Sequence, residues 1–511
     1  MPPRGHCSHD VYSHSFAVML VSRSLFFLVF SQKWMKERFL SFLILLVFVS
    51  SSAAFFYSAR MRRARPFERI IFVTIDTLRR DHLGFYGWPR DTAPFLASLA
   101  RSGVVFDNAY SAISHTAPSH ATIFTSLYPF EHGVLRNHDR LNRKHLTLQA
   151  VLQRTGLETV ALPAVNFLEG KVGFDQLPTE TDHSEAAELS RRYWFRTAED
   201  QVSRAIHWLE NGRTQDEFFL WLHFYDPHQW KKIGRLPERY VEQMRDSGNP
   251  EQIRAHALRH GSVAEDHFGG AAEFTSVLDN YDARIRYVDD QLRRFYDAVQ
   301  RMGLGKDTLW VFTSDHGEGL GDHRYEGHGE FLYEEQLQIP LLFHSDRWRG
   351  QAVRLHDLIR TVDLLPTLSE LAGFDTSLLP SFLRGVSFSQ LVIQDEASPE
   401  DLPRYSLSQR RPKDDARLRR SWEEGPIYGI QTVDAKLIDH AHAADERYDL
   451  RADPGETENL IEAPGPEEEA LRSELNSILD GLRDRTSQEE GKAGEALTSD
   501  QLEELRSLGY L

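Results

Sequence analysis

Polar side chains that could hold a metal ion follow three apolar stretches of the sequence. They are Asp76 after RIIFVTI, Asp226 and His228 after FFLWLHF, and Asp315 and His316 after LWVFT. A carboxylate oxygen or an imidazole nitrogen suits Zn²⁺, and a set dominated by oxygens suits Mn²⁺ or Mg²⁺. A single Asp after a strand is more often a turn former or a helix cap. The metal hypothesis therefore rests on finding possible ligands after three predicted strands rather than after one.

A hydroxyl group stands at the predicted start of a helix in the segment SHTAPSHA, residues 114–121. Pro118 suits the first helical turn, where its missing N–H would have no partner anyway, and this places Thr116 at the helix N-terminus. There the backbone N–H groups and the helix dipole favour negative charge. Beside a divalent ion, the Thr116 oxygen could attack a phosphorus or sulfur centre. On its own, the segment also fits a plain helix cap.

Short apolar stretches alternate with helical patterns along the chain. Continuous apolar sequence predicts strands buried on both faces, as in a parallel sheet, at residues 69–75, 158–162, 218–224, 308–313 and 339–343. Apolar residues spaced by three and four from Tyr281 to Met302 predict a helix that Gly303 ends. This alternation indicates a layered α/β domain, in which ligands bind at the carboxyl ends of the strands.

The composition separates a basic beginning from an acidic body. The net charge of the 511 residues is −17, whereas residues 1–66 hold nine Lys or Arg and only two Asp or Glu. An acidic body disfavours nucleic-acid binding, which needs a basic surface. Cys7 is the one cysteine of the sequence, so the chain has neither an internal disulfide nor a cysteine nucleophile in its body.

Residues 39–57 are an uncharged apolar stretch of 19 residues. A helix of that length, at about 1.5 Å per residue, crosses a bilayer core. Basic residues flank the stretch on both sides, which leaves its orientation open. We expect an export signal, cleaved or kept as a membrane anchor, that places the following domain on the periplasmic or extracellular side; a buried core helix is the alternative. Residues 1–34 would then lie upstream of the true start codon.

These patterns divide the chain into four parts. Residues 1–66 are an N-terminal extension with the membrane segment, and residues 67–384 are the α/β domain. Residues 385–465 form a smaller C-terminal subdomain, in which GIQTVDAKLID at 429–439 predicts a strand. Residues 466–511 are a charged helical tail.

At the level of whole motifs, the sequence resembles the sulfatase family within the alkaline phosphatase superfamily. The matching pieces include TIDTLRRDHLGFYG, TAPSHATIFTSLYPFEHGV, YDPH, TSDHGEGLGDH, GHGEFLYEEQLQIPLLF and RYDLRADPGETENL, and they run in the family order over residues 69–460. The resemblance implies an ester hydrolase with a three-layer, alkaline-phosphatase-like fold. Its central sheet would be mixed but mostly parallel, with a smaller C-terminal subdomain.

The resemblance also implies a metal site and a nucleophile. Asp76, Asp315 and His316 would bind a divalent ion, which could be Zn²⁺, Mn²⁺, Ca²⁺ or Mg²⁺. Thr116 falls at the nucleophile position and would touch the same ion.

Two histidines correspond to substrate-contacting positions of the family. His228 matches a histidine that contacts the substrate, and His328 stands where many sulfatases carry a lysine that contacts the ester group. Some relatives hold two metal ions, and a second site here could use Asp226 or His228 together with His328.

The nucleophile segment departs from the sulfatase pattern. Sulfatases carry Cys or Ser in C/S-x-P-S-R and convert it to formylglycine, whereas this chain has T-A-P-S-H from Thr116 to His120. Threonine cannot become that aldehyde, and Thr77 replaces a second Asp after the first strand. An unmodified Thr resembles the phosphodiesterases and phosphoethanolamine transferases of the superfamily. Because a sulfo-threonine is harder to release than a formylglycine sulfate, we expect phosphorus esters as substrates rather than sulfate esters.

Two other functions stay open at this stage. A membrane-anchored transferase could move a phospho-headgroup to a lipid or glycan through the same covalent step, although such enzymes often carry several spans and this chain offers one. A non-catalytic binding protein could keep the fold without the activity. The presence of the whole metal and nucleophile set favours a hydrolase of small-molecule, lipid-headgroup or glycan esters.

Overall fold

The computed structural model describes residues 65–173, 195–231, 236–261, 267–348, 352–393, 402–410, 427–441, 443–463 and 465–490. These residues belong to a unit that begins at Arg63. The predicted membrane segment at 39–57 lies outside the described residues, as does almost all of the extension around it. Within the described part of the chain, every helix is too short or too polar to cross a membrane.

The strands of the described residues form one large sheet and two small ones. In chain order they are β1 Arg69–Ile75, β2 Val104–Tyr110, β3 Glu158–Leu162, β4 Phe218–Phe224, β5 Thr308–Thr313, β6 Gly319–Leu320, β7 Glu326–Gly327, β8 Gln338–His344, β9 Val353–Arg360, β10 Ser406–Arg410, β11 Ile427–Gln431, β12 Ala435–His440 and β13 Glu446–Asp449. The large sheet has the order β3-β4-β1-β5-β8-β2-β9. Its neighbouring strands are parallel except where β8 pairs with β5 and β2.

Helices pack against the large sheet, and one long helix follows the small C-terminal sheet. In chain order they are α1 Pro94–Ala100, α2 Thr116–Thr125, α3 Pro129–His132, α4 Leu148–Arg154, α5 Ala198–His207, α6 Glu238–Arg245, α7 Pro250–Arg259, α8 Ala271–Arg301, α9 Glu334–Leu337, α10 Leu364–Leu371, α11 Ser389–Ile393 and α12 Pro466–Glu490. Short 3₁₀ turns join several of them. The predicted α/β class, with a mostly parallel mixed sheet and a smaller C-terminal sheet, is confirmed.

The large sheet is buried on both faces, because successive side chains of a strand point to opposite sides. On β1, Ile71 and Val73 belong to the core on the side of α8, whereas Ile70 and Phe72 belong to the core on the side of α2. Both sets are fully buried. This explains why the predicted strands appear in the sequence as unbroken apolar stretches.

Strand β8 is one residue longer than predicted at each end, and two elements differ more from their predicted bounds. Helix α8 begins at Ala271 rather than Tyr281, because Phe274 and Leu278 continue its buried face. The predicted strand at 429–439 is a hairpin in which β11 and β12 pair in antiparallel fashion. The hydroxyl of Thr432 accepts hydrogen bonds from the N–H groups that follow and so forms the turn. The apolar alternation continues on both sides of the turn, so it did not reveal the break.

A buried charge cluster joins the C-terminal sheet to the central domain. The Nζ atom of Lys436 lies 2.7 Å from Oε1 of both Glu334 and Glu456. Beside them, His323 Nε2 donates to the carbonyl of Glu456 over 3.1 Å, and His323 Nδ1 lies 3.4 Å from Oε1 of Glu335. Both ring nitrogens therefore face acceptors, which suits the protonated imidazole. Burial alone would lower the pKa of His323, but Glu335 and Glu456 together outweigh it and raise that pKa to about 9.

This cluster predicts a pH-dependent contribution to stability. Because the folded-state pKa of His323 lies above its unfolded value, the stabilisation is complete below about pH 6.5 and disappears as the pH rises through about 9. We expect His323→Gln to lower the unfolding free energy by on the order of 2 kcal/mol at pH 6 and by much less at pH 9.5. Chemical denaturation at several pH values measures the difference. His207→Gln, at an exposed helical position, is the matched control, and a pH-independent difference for His323→Gln would contradict the argument.

Candidate active site

The alternation of side chains brings three polar strand ends to one side of the sheet. Thr74 and Asp76 lie two and four residues beyond Phe72, on the side of α2. On β4, His223 is paired with Thr74 in the parallel register and shares that side. On β5, Val311 belongs to the same core, which directs Asp315 to the same side. Strand parity therefore places these groups on the α2 side of the sheet.

Asp76, Asp315 and His316 form the group that can hold a metal ion. One ligand atom from each lies within 4.8 Å of the others, and all three residues are buried. Both carboxylate oxygens of Asp76 and the Oδ2 of Asp315 lack a hydrogen-bond partner in the protein. The other oxygen of Asp315 accepts the N–H groups of Thr77 and His316, at 3.2 and 2.9 Å. The free oxygens thus converge with an orientation that the backbone fixes.

The tautomer of His316 completes this donor set. Its Nδ1 lies 2.8 Å from the carbonyl oxygen of Gly317, which can only accept, so Nδ1 carries the proton. The Nε2 lone pair then points toward Asp315 Oδ2, 3.4 Å away. Two carboxylates with unpaired oxygens and one imidazole lone pair fit a divalent cation of the Zn²⁺ or Mn²⁺ type.

The buried carboxyl groups around Asp76 and Asp315 would be stabilised by a positive charge. Burial raises the pKa of Asp76 well above the usual aspartate range, and the charges of Asp315 and Glu318 raise it further. Burial likewise raises the pKa of Asp315, and it raises the pKa of Glu318 to about 8. Burial lowers the pKa of His316 well below its usual range, so this ring is neutral. A bound cation would balance the excess of buried negative charge.

Thr116 opens α2 directly above this group. Its hydroxyl oxygen lies 3.4 Å from His316 Nε2, and the residue is fully buried. Behind it, His120 Nδ1 donates to the Thr116 carbonyl over 2.8 Å, one turn further along the helix. The ring nitrogen Nε2 of His120 meets the hydroxyl of Thr74 at 3.1 Å. His120 therefore fixes the first turn of the helix from inside the protein.

The N–H groups that follow Thr116 in the first turn of this helix are not available to an anionic ligand. The Ala117 N–H donates to Asn137 Oδ1 over 2.9 Å, and the Ser119 N–H donates to the carbonyl of His115 over 2.9 Å. Pro118 has no N–H. Because these first-turn positions are already satisfied or empty, other groups must face an anionic ligand.

Two further histidines, on separate loops, form a pair beside the His316 ring. The Nε2 atoms of His228 and His328 lie 3.0 Å apart. His328 Nδ1 donates to the carbonyl of Ser114 over 3.1 Å, so its Nε2 is the acceptor and His228 supplies the hydrogen. The His328 ring lies 4.4 Å from the His316 ring, and the His228 ring stacks on Tyr225 at 4.4 Å. The sequence predicted both histidines, and the structure brings them to the metal group.

The structure does not support the predicted second metal site at Asp226 and His328. Within the described residues, only Asp76, Asp315 and His316 gather as a set of three ligand atoms. Asp226 follows Phe224 on the side of α8, where its charge acts on Arg284. Asp226 therefore lies on the α8 side of the sheet, opposite the face that holds the first site.

Sequence reasoning missed three residues of the site. His223 had one usable signal, a polar residue inside an otherwise apolar strand. Glu318 lies within the motif that supplied two predicted ligands, but its burial could not be read from the sequence. Asn137 lies in a loop distant in sequence from the helix that it caps, so nothing local pointed to it.

Comparison with known families agrees with this geometry. The Sulfatase family profile matches residues 68–374, and the profile described as N-sulphoglucosamine sulphohydrolase, C-terminal, matches residues 321–485. The first match covers more than half of the chain, so the protein belongs to the sulfatase family. It is an ester hydrolase by family, and the buried Asp and His residues are its candidate metal site.

Individual relatives span several ester chemistries. The N-acetylglucosamine-6-O-sulfatase of Bacteroides thetaiotaomicron is 23% identical over 77% of this chain and 82% of its own. The phosphatidylethanolamine transferase Mcr-1 of Escherichia coli is 25% identical over 59% of this chain and 53% of its own. The crystal structure of the phosphonate monoester hydrolase of Agrobacterium radiobacter superposes with a TM-score of 0.63 at 21% identity, over 82% of this chain and 95% of that one. The fold is therefore shared across sulfate and phosphorus chemistry.

The buried carboxylate pair predicts opposite effects with and without metal. In protein stripped with EDTA at pH 8, we expect Asp76→Asn to unfold at a higher temperature than wild type, because one buried like charge is gone. With Mn²⁺ or Zn²⁺ at about a hundredfold over its dissociation constant, the wild type gains about 2.7 kcal/mol and the variant gains little. Scanning calorimetry measures both shifts.

The control for this experiment is Asp289→Asn. The Asp289 carboxylate is also buried, but it accepts the N–H groups of Phe95 and Leu96 at the start of α1, away from the site. This variant should lose stability and keep the full metal-dependent shift. A metal-dependent shift of the same size in Asp76→Asn would contradict the metal assignment.

Proposed function

We propose that the protein hydrolyses phosphorus esters, with Thr116 as nucleophile. The observation that carries the proposal is the position of the Thr116 hydroxyl, buried at the start of α2 and 3.4 Å from Nε2 of His316 in the Asp76–Asp315–His316 group. A threonine in that position cannot use the formylglycine route of sulfatases. It can form and release a phosphoryl ester.

Asp76, Asp315 and His316 are the residues that would hold the divalent ion. When bound there, such an ion would lower the pKa of the Thr116 hydroxyl and offset the negative charge of the ester. Without it, the neutral imidazoles of this site offer no full positive charge to an anionic substrate.

The covalent step needs one bond to form and one to break. The Thr116 oxygen forms a bond to phosphorus as the bond from phosphorus to the leaving oxygen breaks, and the leaving oxygen keeps the electron pair. The Thr116 hydroxyl releases its proton to the His228–His328 pair as the hydrogen held between the two Nε2 atoms passes to the leaving oxygen, so the pair itself stays neutral. Water then cleaves the bond between phosphorus and Thr116, which restores the hydroxyl and releases the phosphorus acid.

The relatives support phosphorus chemistry without deciding it. One protein of similar fold is a phosphonate monoester hydrolase, and one relative in sequence is a phosphatidylethanolamine transferase. The sulfatases among the relatives support sulfate esters instead. The threonine at the nucleophile position is the feature of this chain that favours phosphorus.

A transferase is the second candidate, and the apolar segment at 39–57 is the observation that favours it. A membrane anchor would hold the catalytic domain beside lipid headgroups, on the periplasmic or extracellular side of the membrane. The same phospho-threonine would then pass its group to an alcohol instead of water. The two functions differ only in the acceptor.

The nucleophile is tested by substitution. We expect Thr116→Ala to lower kcat on an aryl phosphodiester or an aryl phosphonate monoester by at least about 10³-fold, with Thr116→Ser keeping a measurable fraction. Thr125→Ala is the matched control, because Thr125 ends the same helix and its hydroxyl bonds only to the carbonyl of Ala121. Turnover by Thr116→Ala at the wild-type rate would exclude Thr116, and faster turnover of an aryl sulfate by wild type would exclude the phosphorus assignment.

The acceptor is tested by trapping and partitioning. Acid quenching during turnover of a phosphonate monoester should leave a phosphonyl group on the peptide that contains Thr116, which mass spectrometry detects. Adding glycerol or ethanolamine should leave the product unchanged if water is the acceptor. Formation of a new phosphonate ester of the added alcohol would instead identify a transferase.

A further inference from the structure

His223 is a buried histidine that the proposed mechanism does not use. It lies near the end of β4, is fully buried, and pairs in register with Thr74 of β1. Its neighbours on the same face are Trp221 and Tyr225, which belong to the apolar core. A purely structural role at this position would suit an apolar side chain, so the presence of an imidazole needs a reason.

The hydrogen bonds of His223 fix its tautomer. The backbone N–H of Ala164 donates to Nδ1 over 3.2 Å, so Nδ1 has no hydrogen and Nε2 carries it. The Nε2 atom lies 3.5 Å from Oδ2 of Asp76. Nε2 of His223 and both oxygens of Asp76 are without a hydrogen-bond partner, so the 3.5 Å contact between them is longer than a formed hydrogen bond. A buried donor without a partner and a buried acceptor without a partner therefore face each other.

Two further contacts hold the His223 ring in this orientation. His120 lies against it with ring centroids 5.1 Å apart at an interplanar angle of 83°. The side-chain amide of Gln201 donates to the carbonyls of both His223 and Leu162, at 2.9 and 2.7 Å, and so ties β4 to β3 at this level. The N–H of His223 cannot turn away from Asp76 without breaking its bond to Ala164.

We infer that His223 is a positioning residue for Asp76: its Nε2–H orients the carboxylate so that the opposite oxygen is presented to the metal ion. The inference rests on the proposed function in one respect, namely that Asp76 is a metal ligand. A neutral imidazole serves here better than a cation, because it restrains Asp76 without neutralising the charge that binds the ion. Partners of this kind behind a metal ligand raise affinity by fixing its geometry.

The test uses two substitutions that divide the roles of the two ring nitrogens. In His223→Asn, the shorter amide can accept the Ala164 N–H but reaches no further. In His223→Gln, the longer amide can place an N–H near Oδ2 of Asp76. The full chain is stripped with EDTA and titrated with Mn²⁺ and with Zn²⁺ alone, and binding is measured by calorimetry. We expect His223→Asn to weaken metal binding about 10–100-fold. The metal affinity of His223→Gln should stay within about threefold of wild type.

A control and the contrary outcomes complete the design. His344→Phe changes a buried histidine at the other end of the sheet, on β8, and should leave metal affinity unchanged. Equal losses of metal affinity in His223→Asn and His223→Gln would overturn the positioning role. Wild-type metal affinity in His223→Asn would overturn it as well. Failure of wild type to bind either ion would overturn it together with the metal role of Asp76. Metal binding in the expected order, combined with turnover that survives Thr116→Ala, would instead overturn only the proposed nucleophile.

Discussion

The arrangement of this protein depends on two carboxylates, Asp76 and Asp315, that are buried side by side. Like charges repel strongly where water is excluded, so a folded chain tolerates such a pair only where a carboxyl keeps its proton or a counter-charge is bound. Among the described residues the neighbouring imidazoles do not supply that charge, because burial and their hydrogen bonds hold them neutral. A cation bound between the two carboxylates would balance their charge. Thr116 and the neutral histidines are packed around that position.

The large sheet determines which residues can contribute to the candidate metal site. Asp76 and Asp315 lie on the same face because each sits an even number of residues from an apolar side chain on the side of α2. Asp226 differs by one residue in parity and interacts with Arg284 on the other side. A shift of one residue at any of these strand ends would move a carboxylate through the sheet and dismantle the site.

Much of this could be predicted from the sequence. Four strands have their predicted bounds because parallel strands buried on both faces leave unbroken apolar stretches, and Asp76, Asp315 and His316 were identified because they follow such stretches. The contacts that link distant parts of the chain could not be predicted in this way. Asn137, which caps α2, and Glu318, which crowds the carboxylate pair, act through burial and distance rather than through local pattern. The hairpin at β11 and β12 was missed because a polar turn interrupted an alternation that resumed unchanged after it.

The buried Lys436 has a consequence for where the catalytic unit ends. This ammonium group belongs to the small C-terminal sheet, yet its partner Glu334 lies on the segment that leads from His328 back into the large sheet. A chain cut after residue 384 would retain every candidate catalytic group but would leave Glu334 without the Lys436 ammonium and without the Glu456 carboxylate that accepts its N–H. The segment that carries His328 is therefore tied to the small C-terminal sheet across the boundary that the sequence predicts between domain and subdomain.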